Sequence, residues 1–538
     1  MATSEARARG LPVAARGRRG RRAPPALLAA GLAVAALVLL PLGYLLIVVG
    51  SEGSAALEEL GSERALRLLA RSTALAAAVT ASAIALSLPL SWLCVRTDLP
   101  GRRVWSVLCL LPLVIPSYIG AYLLVSALGP RGELARLLEG PLGIERLPSL
   151  YGFTGAWIAL TLATFPLVLL PLMTMLRRLD PSLEEAARGM GSSGLRTYRQ
   201  IVAPQLMPAV GAGGLLVALY VLSDFGAVSI MRFDSFTRVI YTSRASFDRT
   251  GTAALAMMLV AVTLVVLWLE GRTRRRAEVF ARGAPGAARV QQRVRLGRWR
   301  WPALGFCATV IGFALALPVG MLALWTTRAL AGDVEWSSIA TAAGNSLLAA
   351  LLAAAAAALC AIPVALLAAR HRGRASRAVE LSSYAGHALP GIVVALALVF
   401  FGTRVAVGLY QTLAMLVFAL VVLFLPLAVG ALRASLLQVP PRMEEAGRSL
   451  GRGPLAVFAT VTAPLARGGL LAGAALVFLT AVKELPATLL LSPIGFDTLA
   501  ANIWRTTTAN AFERGAVPSL VLLAVSAVPL AILAARDR

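Results

Sequence analysis

Two stretches of this 538-residue chain are near copies of each other, and they decide the fold. Residues 180–204 read DPSLEEAARGMGSSGLRTYRQIVAP, and residues 440–464 read PPRMEEAGRSLGRGPLAVFATVTAP. The shared residues lie at a constant offset of 260 positions: Pro181 and Pro441, Glu184 and Glu444, Glu185 and Glu445, Gly191 and Gly451, Pro204 and Pro464. Proline and glycine constrain the backbone, so their match at one offset is not a chance event. The chain therefore contains an internal repeat.

The repeat extends toward the N-terminus. Three further residues match at an offset of 274 positions: Pro89 and Pro363, Arg96 and Arg370, Pro116 and Pro390. The two offsets differ by 14 residues, which places an insertion of that length in the segment 129–150 of the first copy.

The composition excludes a soluble enzyme. Apolar residues make up 58% of the chain and charged residues 14%, whereas ordinary soluble domains carry roughly 45–50% and about 25%. The net charge of +25 is spread over short arginine blocks between long apolar runs. This pattern is typical of loops at a membrane surface and argues against a nucleic-acid partner.

Apolar runs long enough to cross a bilayer recur along the whole sequence. A spanning helix needs about 20 mainly apolar residues. Twelve such runs are expected, at 26–49, 72–95, 104–128, 151–176, 208–230, 252–270, 302–325, 341–369, 382–403, 409–432, 468–491 and 515–534. The sequence therefore predicts an all-α integral membrane protein with two parallel six-helix repeats.

The basic residues predict the orientation. With the N-terminus inside, the inner segments hold 36 of the 51 basic residues and the outer loops hold 14. Because positive residues are retained on the cytoplasmic side, both termini are expected to be cytoplasmic. The predicted organisation is a basic tail (1–25), a first domain (26–270), an arginine-rich linker (271–301) and a second domain (302–538).

The duplicated stretch predicts a short helix on the cytoplasmic side, within the loops 177–207 and 433–467. Asp180 can cap a helix whose first residue is Pro181, where the missing N–H costs nothing. We expect Gly191 and Gly194 to end this helix and Pro204 to mark the entry to the next span. An amphipathic helix lying on the lipid surface is the alternative interpretation.

The stretch resembles the signature loop of importer-type ABC transporter permeases: Glu-Ala-Ala, three residues, Gly, nine residues, Ile-x-Leu-Pro. Residues 185–204 depart from it only at Ala203, and residues 445–464 at Gly447, Val461 and Ala463. In that family the loop is the coupling helix that docks into a groove of the ATPase subunit. The resemblance therefore assigns ATPase coupling to Glu184, Glu185, Ala186, Ala187 and Gly191, and to Glu444, Glu445, Ala446, Gly447 and Gly451.

The same resemblance implies the partners. They are two copies of a cytoplasmic ABC ATPase, which bind ATP–Mg, and an extracytoplasmic substrate-binding protein, at a bacterial inner membrane. This chain would be a permease without enzyme activity or a cofactor of its own. Its one lysine, Lys483, follows no glycine-rich loop, so the chain has no phosphate-binding ATPase motif.

Three ionisable residues, Asp224, Lys483 and Glu484, fall inside expected spans. Charges within a bilayer usually face a cavity or a partner. Asp224 and Glu484 match at the offset of 260, and Gly226 and Pro486 interrupt the two helices just beyond them. One hypothesis is an acidic pair that lines or gates a path for a cationic substrate. The other is a structural ion pair between Lys483 and Asp224.

The region around these acids also resembles ferric iron permeases of the superfamily. The matching stretches are KELPATLLL (483–491), GFDTL (495–499), SDFGAV (223–228) and FTR (236–238). Thiamine, polyamine, phosphonate and sulfate permeases share the framework, so these cargoes are alternatives. A transporter driven by an ion gradient, with Asp224 and Glu484 as proton carriers, is the rival from another class. No cluster of His, Cys and carboxylate residues predicts a metal site.

Overall fold

The computed structural model describes residues 23–143, 146–243, 249–282, 293–371 and 373–536. Apart from one isolated bridge between Thr97 and Val294, these residues form helices and connecting turns. The helices of the first copy are α1 Pro25–Leu60, α2 Glu63–Arg96, α3 Arg102–Leu108, α4 Ser117–Leu128, α5 Glu133–Leu142, α6 Phe153–Arg178, α7 Pro181–Gly189, α8 Gly194–Thr197, α9 Ala203–Ser223, α10 Gly226–Ile230, α11 Phe236–Ser243 and α12 Arg249–Arg282. Those of the second copy are α13 Arg300–Ile311, α14 Leu317–Leu330, α15 Trp336–Arg370, α16 Arg374–Ala388, α17 Gly391–Arg404, α18 Leu413–Gln438, α19 Pro441–Ser449, α20 Pro454–Val457, α21 Ala463–Ala481, α22 Pro486–Leu491, α23 Leu499–Thr508 and α24 Phe512–Arg536.

The fold class is confirmed as an all-α membrane protein. Among the described residues, 9 helices are long and apolar enough to cross a membrane, and two bent pairs raise the number to as many as 11. The expected twelfth span, 515–534, falls on α24 and is not among them, so the count of twelve stays a prediction. Most of the predicted basic tail, and residues 283–292 of the predicted linker, lie outside the described residues.

The expected third and ninth spans are not straight helices. The segment Arg102–Val114 meets Ser117–Glu139 at 100°, and Arg374–Gly386 meets Gly391–Arg404 at 99°. Each bend falls at the proline of the repeat, Pro116 or Pro390, which precedes the first residue of the new helix. A proline forces the residue before it into an extended conformation, so the helix ends there.

The expected fifth and eleventh spans, 208–230 and 468–491, have different bounds. Their helices end at Ser223 and Ala481, before the acidic residues, and they begin well before 208 and 468. The helical segments run without a break from Gly194 and from Pro454. Gly194 therefore begins a helix instead of ending one, and Pro204 lies inside a helix, not at its entry.

The core of each copy is a bundle of three long helices, α2 with α6 and α9, and α15 with α18 and α21. A glycine at the same repeat position allows a close crossing of two helices in each bundle. A Cβ on Gly213 would lie 2.8 Å from the Cα of Val168, and one on Gly473 would lie 2.9 Å from the Cα of Ala428. Small residues let helices approach closely in membrane proteins. The two bundles therefore pack in the same way.

The first membrane-spanning segment of each copy packs against the other copy: this segment is α1 in the first copy, and α13 followed by α14, within Gly297–Leu330, in the second. Helix α1 contacts α12 of its own copy and also α15, α16 and α17 of the second copy. Helix α14 contacts α24 of its own copy and also α4 of the first copy. The two copies are therefore interlocked through their first helices and are not two separate six-helix bundles.

Candidate coupling and translocation sites

Helix α7, Pro181–Gly189, begins as the sequence predicts. Its cap is Asp180, whose carboxylate accepts a hydrogen bond of 2.9 Å from the N–H of Ser182, and Pro181 is its first residue. Helix α19, Pro441–Ser449, begins with Pro441 in the same position, but its cap residue is Pro440, which offers no side-chain acceptor. Helix α7 is therefore better capped than helix α19.

Both helices end in the same hydrogen-bonded turn. Gly191 has φ of +83° and donates to the carbonyl of Arg188, while Ser192 donates to that of Ala187. In the second copy Gly451, with φ of +79°, is the equivalent residue. This is the Schellman arrangement, which requires a left-handed residue and therefore favours glycine. The prediction that Gly191 ends the helix is confirmed.

A buried ion pair ties α7 to the end of a long helix. Arg96, the last residue of α2, pairs with the carboxylate of Glu184, and these two residues are only 4% and 5% exposed. Arg188 lies 3.3 Å from the same carboxylate, and Arg96 also stacks on Trp92. We call Arg96, Glu184 and Arg188 the first ion cluster.

The second copy repeats this cluster. The Nη2 atom of Arg370, at the end of α15, lies 2.9 Å from Oε1 of Glu444, and Arg448 lies 3.4 Å from Oε2. Arg370 also donates to the carbonyl of Val439. Removing one partner of a buried ion pair typically costs about 3–5 kcal/mol. These clusters therefore fix each short helix to the bundle above it.

The second glutamate of each pair points the other way. Glu185 and Glu445 are exposed, as are Ala186 and Ala446, whereas Ala187 and Gly447 are buried. Large apolar side chains flank the exposed faces at matching positions, with exposures of 70–84%: Met190 and Leu450, Leu195 and Leu455. The same exposed apolar positions therefore accompany the exposed glutamate in both copies.

Asp224 and Glu484 lie at the breaks that follow α9 and α21. Oδ1 of Asp224 accepts hydrogen bonds from the N–H groups of Ala227 and Val228 at 2.9 and 3.3 Å, and Oδ2 accepts one from Ser117. Oε1 of Glu484 accepts one from the N–H of Ala487 at 3.2 Å. Each acid therefore caps the short helix that follows it, α10 or α22.

Lys483 does not pair with Asp224. Its Nζ donates to the backbone carbonyl of Val114, in the first copy, at 2.9 Å. Among the ion pairs of the described residues, none joins Lys483 to Asp224 or involves Glu484. Lys483 therefore links the two copies through a hydrogen bond to a backbone carbonyl, and not through the expected ion pair.

Gly226 and Pro486 sit at the first turn of α10 and α22. A Cβ on Gly226 would lie 2.6 Å from the Cβ of Tyr118, so α4 packs directly on the break. Pro486 is the first residue of α22, where it needs no hydrogen-bond donor. The helix interruption predicted at these positions is present, but it starts two residues earlier in the first copy, at Asp224, and four residues earlier in the second, at Val482.

Four residues of these sites were not predicted from the sequence. Arg96 and Arg370 occupy the same position in the repeat. That match is the sequence feature from which their ion pairs with Glu184 and Glu444 could have been predicted. Ser117 and Tyr118 follow Pro116 at the start of α4, and no local pattern connects them with acids more than 100 residues away.

Comparisons with known proteins agree with this architecture. The model of the family described as binding-protein-dependent transport system inner membrane component matches residues 87–279 and 361–537. The chain is 33% identical over 502 residues to the Fe(3+)-transport system permease protein FbpB 2 of Haemophilus influenzae, which covers 92% of this chain and 95% of that protein. It is 29% identical over 214 residues to the molybdenum transport system permease protein ModB of Escherichia coli K12, covering 37% of this chain and 92% of that protein.

A third relative is the ferric transport system permease protein FbpB of Actinobacillus pleuropneumoniae, with 23% identity over 420 residues, 74% of this chain and 60% of that protein. The resemblance read from the duplicated loop is thereby confirmed. The chain belongs to the family of binding-protein-dependent transport system inner membrane components, and it is an importer permease with two copies of the family domain in one polypeptide.

Proposed function

We propose that this permease carries ferric iron in an ATP-driven importer. The observation that carries the choice of cargo is the similarity to an Fe(3+)-transport permease over 92% of the chain. Molybdenum and sulfate permeases match only 37% and 35% of it. Thiamine, polyamine, phosphonate and sulfate are the alternative cargoes.

We propose that two copies of a cytoplasmic ATPase drive the cycle, one on each coupling helix. The exposed faces of α7 and α19, with Glu185 and Glu445, support this role, because an amphipathic helix docks by its exposed face into a partner's groove. The buried ion clusters on the opposite faces would transmit the movement to α2 and α15. ATP and Mg²⁺ would be bound by the ATPase, and this chain would bind no cofactor.

The proposed orientation places both termini and both coupling helices in the cytoplasm. It is supported by the arginine distribution, with 36 of 51 basic residues on that side. A substrate-binding protein would then dock on the outer segments 129–150, 231–251 and 492–514, which carry α5, α11 and α23. Closure of the ATPases would move the two copies apart on that outer side, and ATP hydrolysis would reset them.

Reconstitution tests this proposal against the gradient-driven alternative. The permease is placed in liposomes with its ATPase inside and an iron-loaded binding protein outside, and radioactive iron uptake is measured. We expect uptake with ATP and none with a proton gradient alone. Uptake driven by the gradient without ATPase would overturn the mechanism, and uptake of sulfate or a polyamine in place of iron would overturn the cargo.

A further inference from the structure

The described end of the predicted linker is attached to the first copy through its backbone. The N–H of Val294 donates to the carbonyl of Arg96 at 2.9 Å, and the N–H of Asp98 donates to the carbonyl of Val294 at 3.2 Å. Oδ1 of Asp98 also accepts a hydrogen bond of 2.9 Å from the N–H of Leu296. Residues 293–296 are therefore held beside the turn that connects α2 to α3.

This attachment brings arginines from two parts of the chain to the same end of the membrane-spanning helices. Four exposed arginines lie between positions 293 and 301, and α3 begins with two more, just after the turn that contains Asp98. Among the described residues, none of the six side chains takes part in an ion pair. We call this set the arginine surface: Arg102, Arg103, Arg293, Arg295, Arg298 and Arg300. Asp98 offsets one of its charges.

Exposed apolar side chains accompany the arginines. Trp299 and Trp301 are 64% and 67% exposed, where the candidate span Gly297–Leu330 begins. Val104 and Val107 of α3 are 60% and 59% exposed, and their spacing of three places them on one face of the helix. Tryptophan is enriched where a span meets the lipid headgroups. The surface therefore combines positive charge with apolar groups, as contact with a headgroup layer requires.

We propose that the arginine surface binds the phosphates of anionic phospholipids in the inner leaflet. The guanidinium group forms paired hydrogen bonds with phosphate, and basic groups beside spanning helices attract anionic headgroups. The acyl chains cover the exposed valines and tryptophans, which a soluble anionic partner leaves in water. The choice of leaflet rests on the proposed orientation of the chain, whereas the binding does not depend on it.

A binding measurement on the purified permease in detergent tests this proposal. Short-chain phosphatidylglycerol or phosphatidylcholine is added, and the bound lipid is counted by native mass spectrometry. We expect the wild type to prefer phosphatidylglycerol, and the loss of four arginines to lower its affinity for that lipid by roughly tenfold or more. The variant is Arg293→Gln/Arg295→Gln/Arg298→Gln/Arg300→Gln.

The matched control removes the same charge from exposed arginines of the proposed outer side. It is Arg131→Gln/Arg146→Gln/Arg404→Gln/Arg514→Gln, and we expect it to bind phosphatidylglycerol as the wild type does. Equal affinity of the wild type for both lipids, or an equal loss in the control, overturns the proposal. A linker variant that keeps the lipid preference but co-purifies with less ATPase also overturns it, because the surface is then a protein contact.

A backbone variant distinguishes a defined surface from general charge attraction. Val294→Pro keeps every charge but removes the N–H that donates to Arg96. We expect weaker binding of phosphatidylglycerol, because the linker arginines are no longer held beside α3. Unchanged affinity overturns this arrangement.

Labelling of Arg298→Cys separates the surface from the proposed orientation. Intact cells are treated with a membrane-impermeant maleimide, and the wild type, whose four cysteines are native, gives the background. We expect no labelling above that background. Labelling from outside overturns the inner leaflet and the orientation together, while preference for phosphatidylglycerol in detergent still supports the surface. Absence of that preference without labelling overturns the surface and keeps the orientation.

Discussion

The adjacent glutamates of α7 and of α19 lie in two different environments. Glu184 faces the bundle and lies between two arginines, and Glu444 repeats this arrangement. Glu185 and Glu445 lie on a different, exposed face of each helix. Neighbouring residues on a helix do not share a face, so one sequence pair can serve both anchoring and docking.

Replacing the buried pair should destabilise the protein. In Glu184→Gln/Glu444→Gln each cluster loses its carboxylate charge between two arginines, and breaking a buried ion pair costs about 3–5 kcal/mol. We expect a lower melting temperature in detergent, measured by tryptophan fluorescence. The matched control, Glu185→Gln/Glu445→Gln, should melt as the wild type does but recover less ATPase on co-purification. Equal melting of the two double variants would contradict the assignment of the buried faces.

The break after α9 should not tolerate a side chain on Gly226. In Gly226→Ala the new methyl would lie 2.6 Å from the Cβ of Tyr118, so α4 or α10 must shift. We expect a destabilisation of about 1–3 kcal/mol, as for other overpacked sites. Gly320→Ala, on α14 with nothing within 4 Å of the added carbon, is the control. Thermal unfolding of both variants side by side measures the difference.

Three of the long helices contain a π-helical turn, which is wider than an α-helical turn, shortly before a proline. The π-helical segments are Tyr198–Val202, Gly312–Ala316 and Phe458–Thr462, and each ends two residues before a proline: Pro204, Pro318 and Pro464. Within an α-helix a proline clashes with the carbonyl four residues earlier, and a wide turn relieves this clash. The prolines are therefore accommodated within continuous helices.

Shortening one of these turns should disturb coupling without unfolding the protein. Deletion of Ala459 removes the extra residue from the second wide turn and rotates the preceding segment, with α19, by about 100° relative to α21. We expect ATP-dependent uptake to fall while helicity, measured by circular dichroism, stays constant. Pro464→Ala keeps the residue count and should keep transport. Normal uptake by the deletion variant would show that the angular position of α19 is unimportant.

Sequence patterns predicted the local features of these elements and missed those set by packing. The cap at Asp180 and the turn at Gly191 follow from neighbouring residues, so both were predictable. Proline alone does not say whether a helix ends, as at Pro116, or widens, as at Pro204. That choice depends on the contacts of the neighbouring helices, which a hydropathy pattern does not contain.

At the scale of the whole molecule, contacts between the copies continue on the proposed outer side. Arg328 of α14 binds Glu133 of α5 through two hydrogen bonds, of 2.6 and 3.0 Å. Trp325 donates to Ser126 at 3.2 Å. Together with the exchanged positions of α1 and α14, these contacts hold the two copies together independently of the linker. The linker predicted at 271–301 joins the two copies along the chain, but the copies it joins are packed against each other.

The two copies should remain associated when the chain is cut within the linker between them. When residues 1–287 and 288–538 are co-expressed as two polypeptides with a tag on one, we expect both to be recovered together, because each first helix remains packed on the other fragment. Removing residues 1–60 from the first fragment exposes α15, α16 and α17 and should reduce the recovery of its partner. Recovery of the tagged fragment alone from the intact pair would contradict the packing of α1.

The two copies differ beside their equivalent acids: Ser117 donates a hydrogen bond to Asp224, whereas Gly391, beside Glu484, has no side chain. This difference has a consequence for evolution. In a permease assembled from two identical chains, every substitution appears twice, and the two equivalent positions can never differ. A single fused polypeptide removes that restriction, because a mutation in one copy leaves its counterpart unaltered. Fusion of the two copies thus allows Asp224 to accept a hydrogen bond from Ser117 in one copy, while the equivalent Glu484 has no such hydroxyl partner in the other.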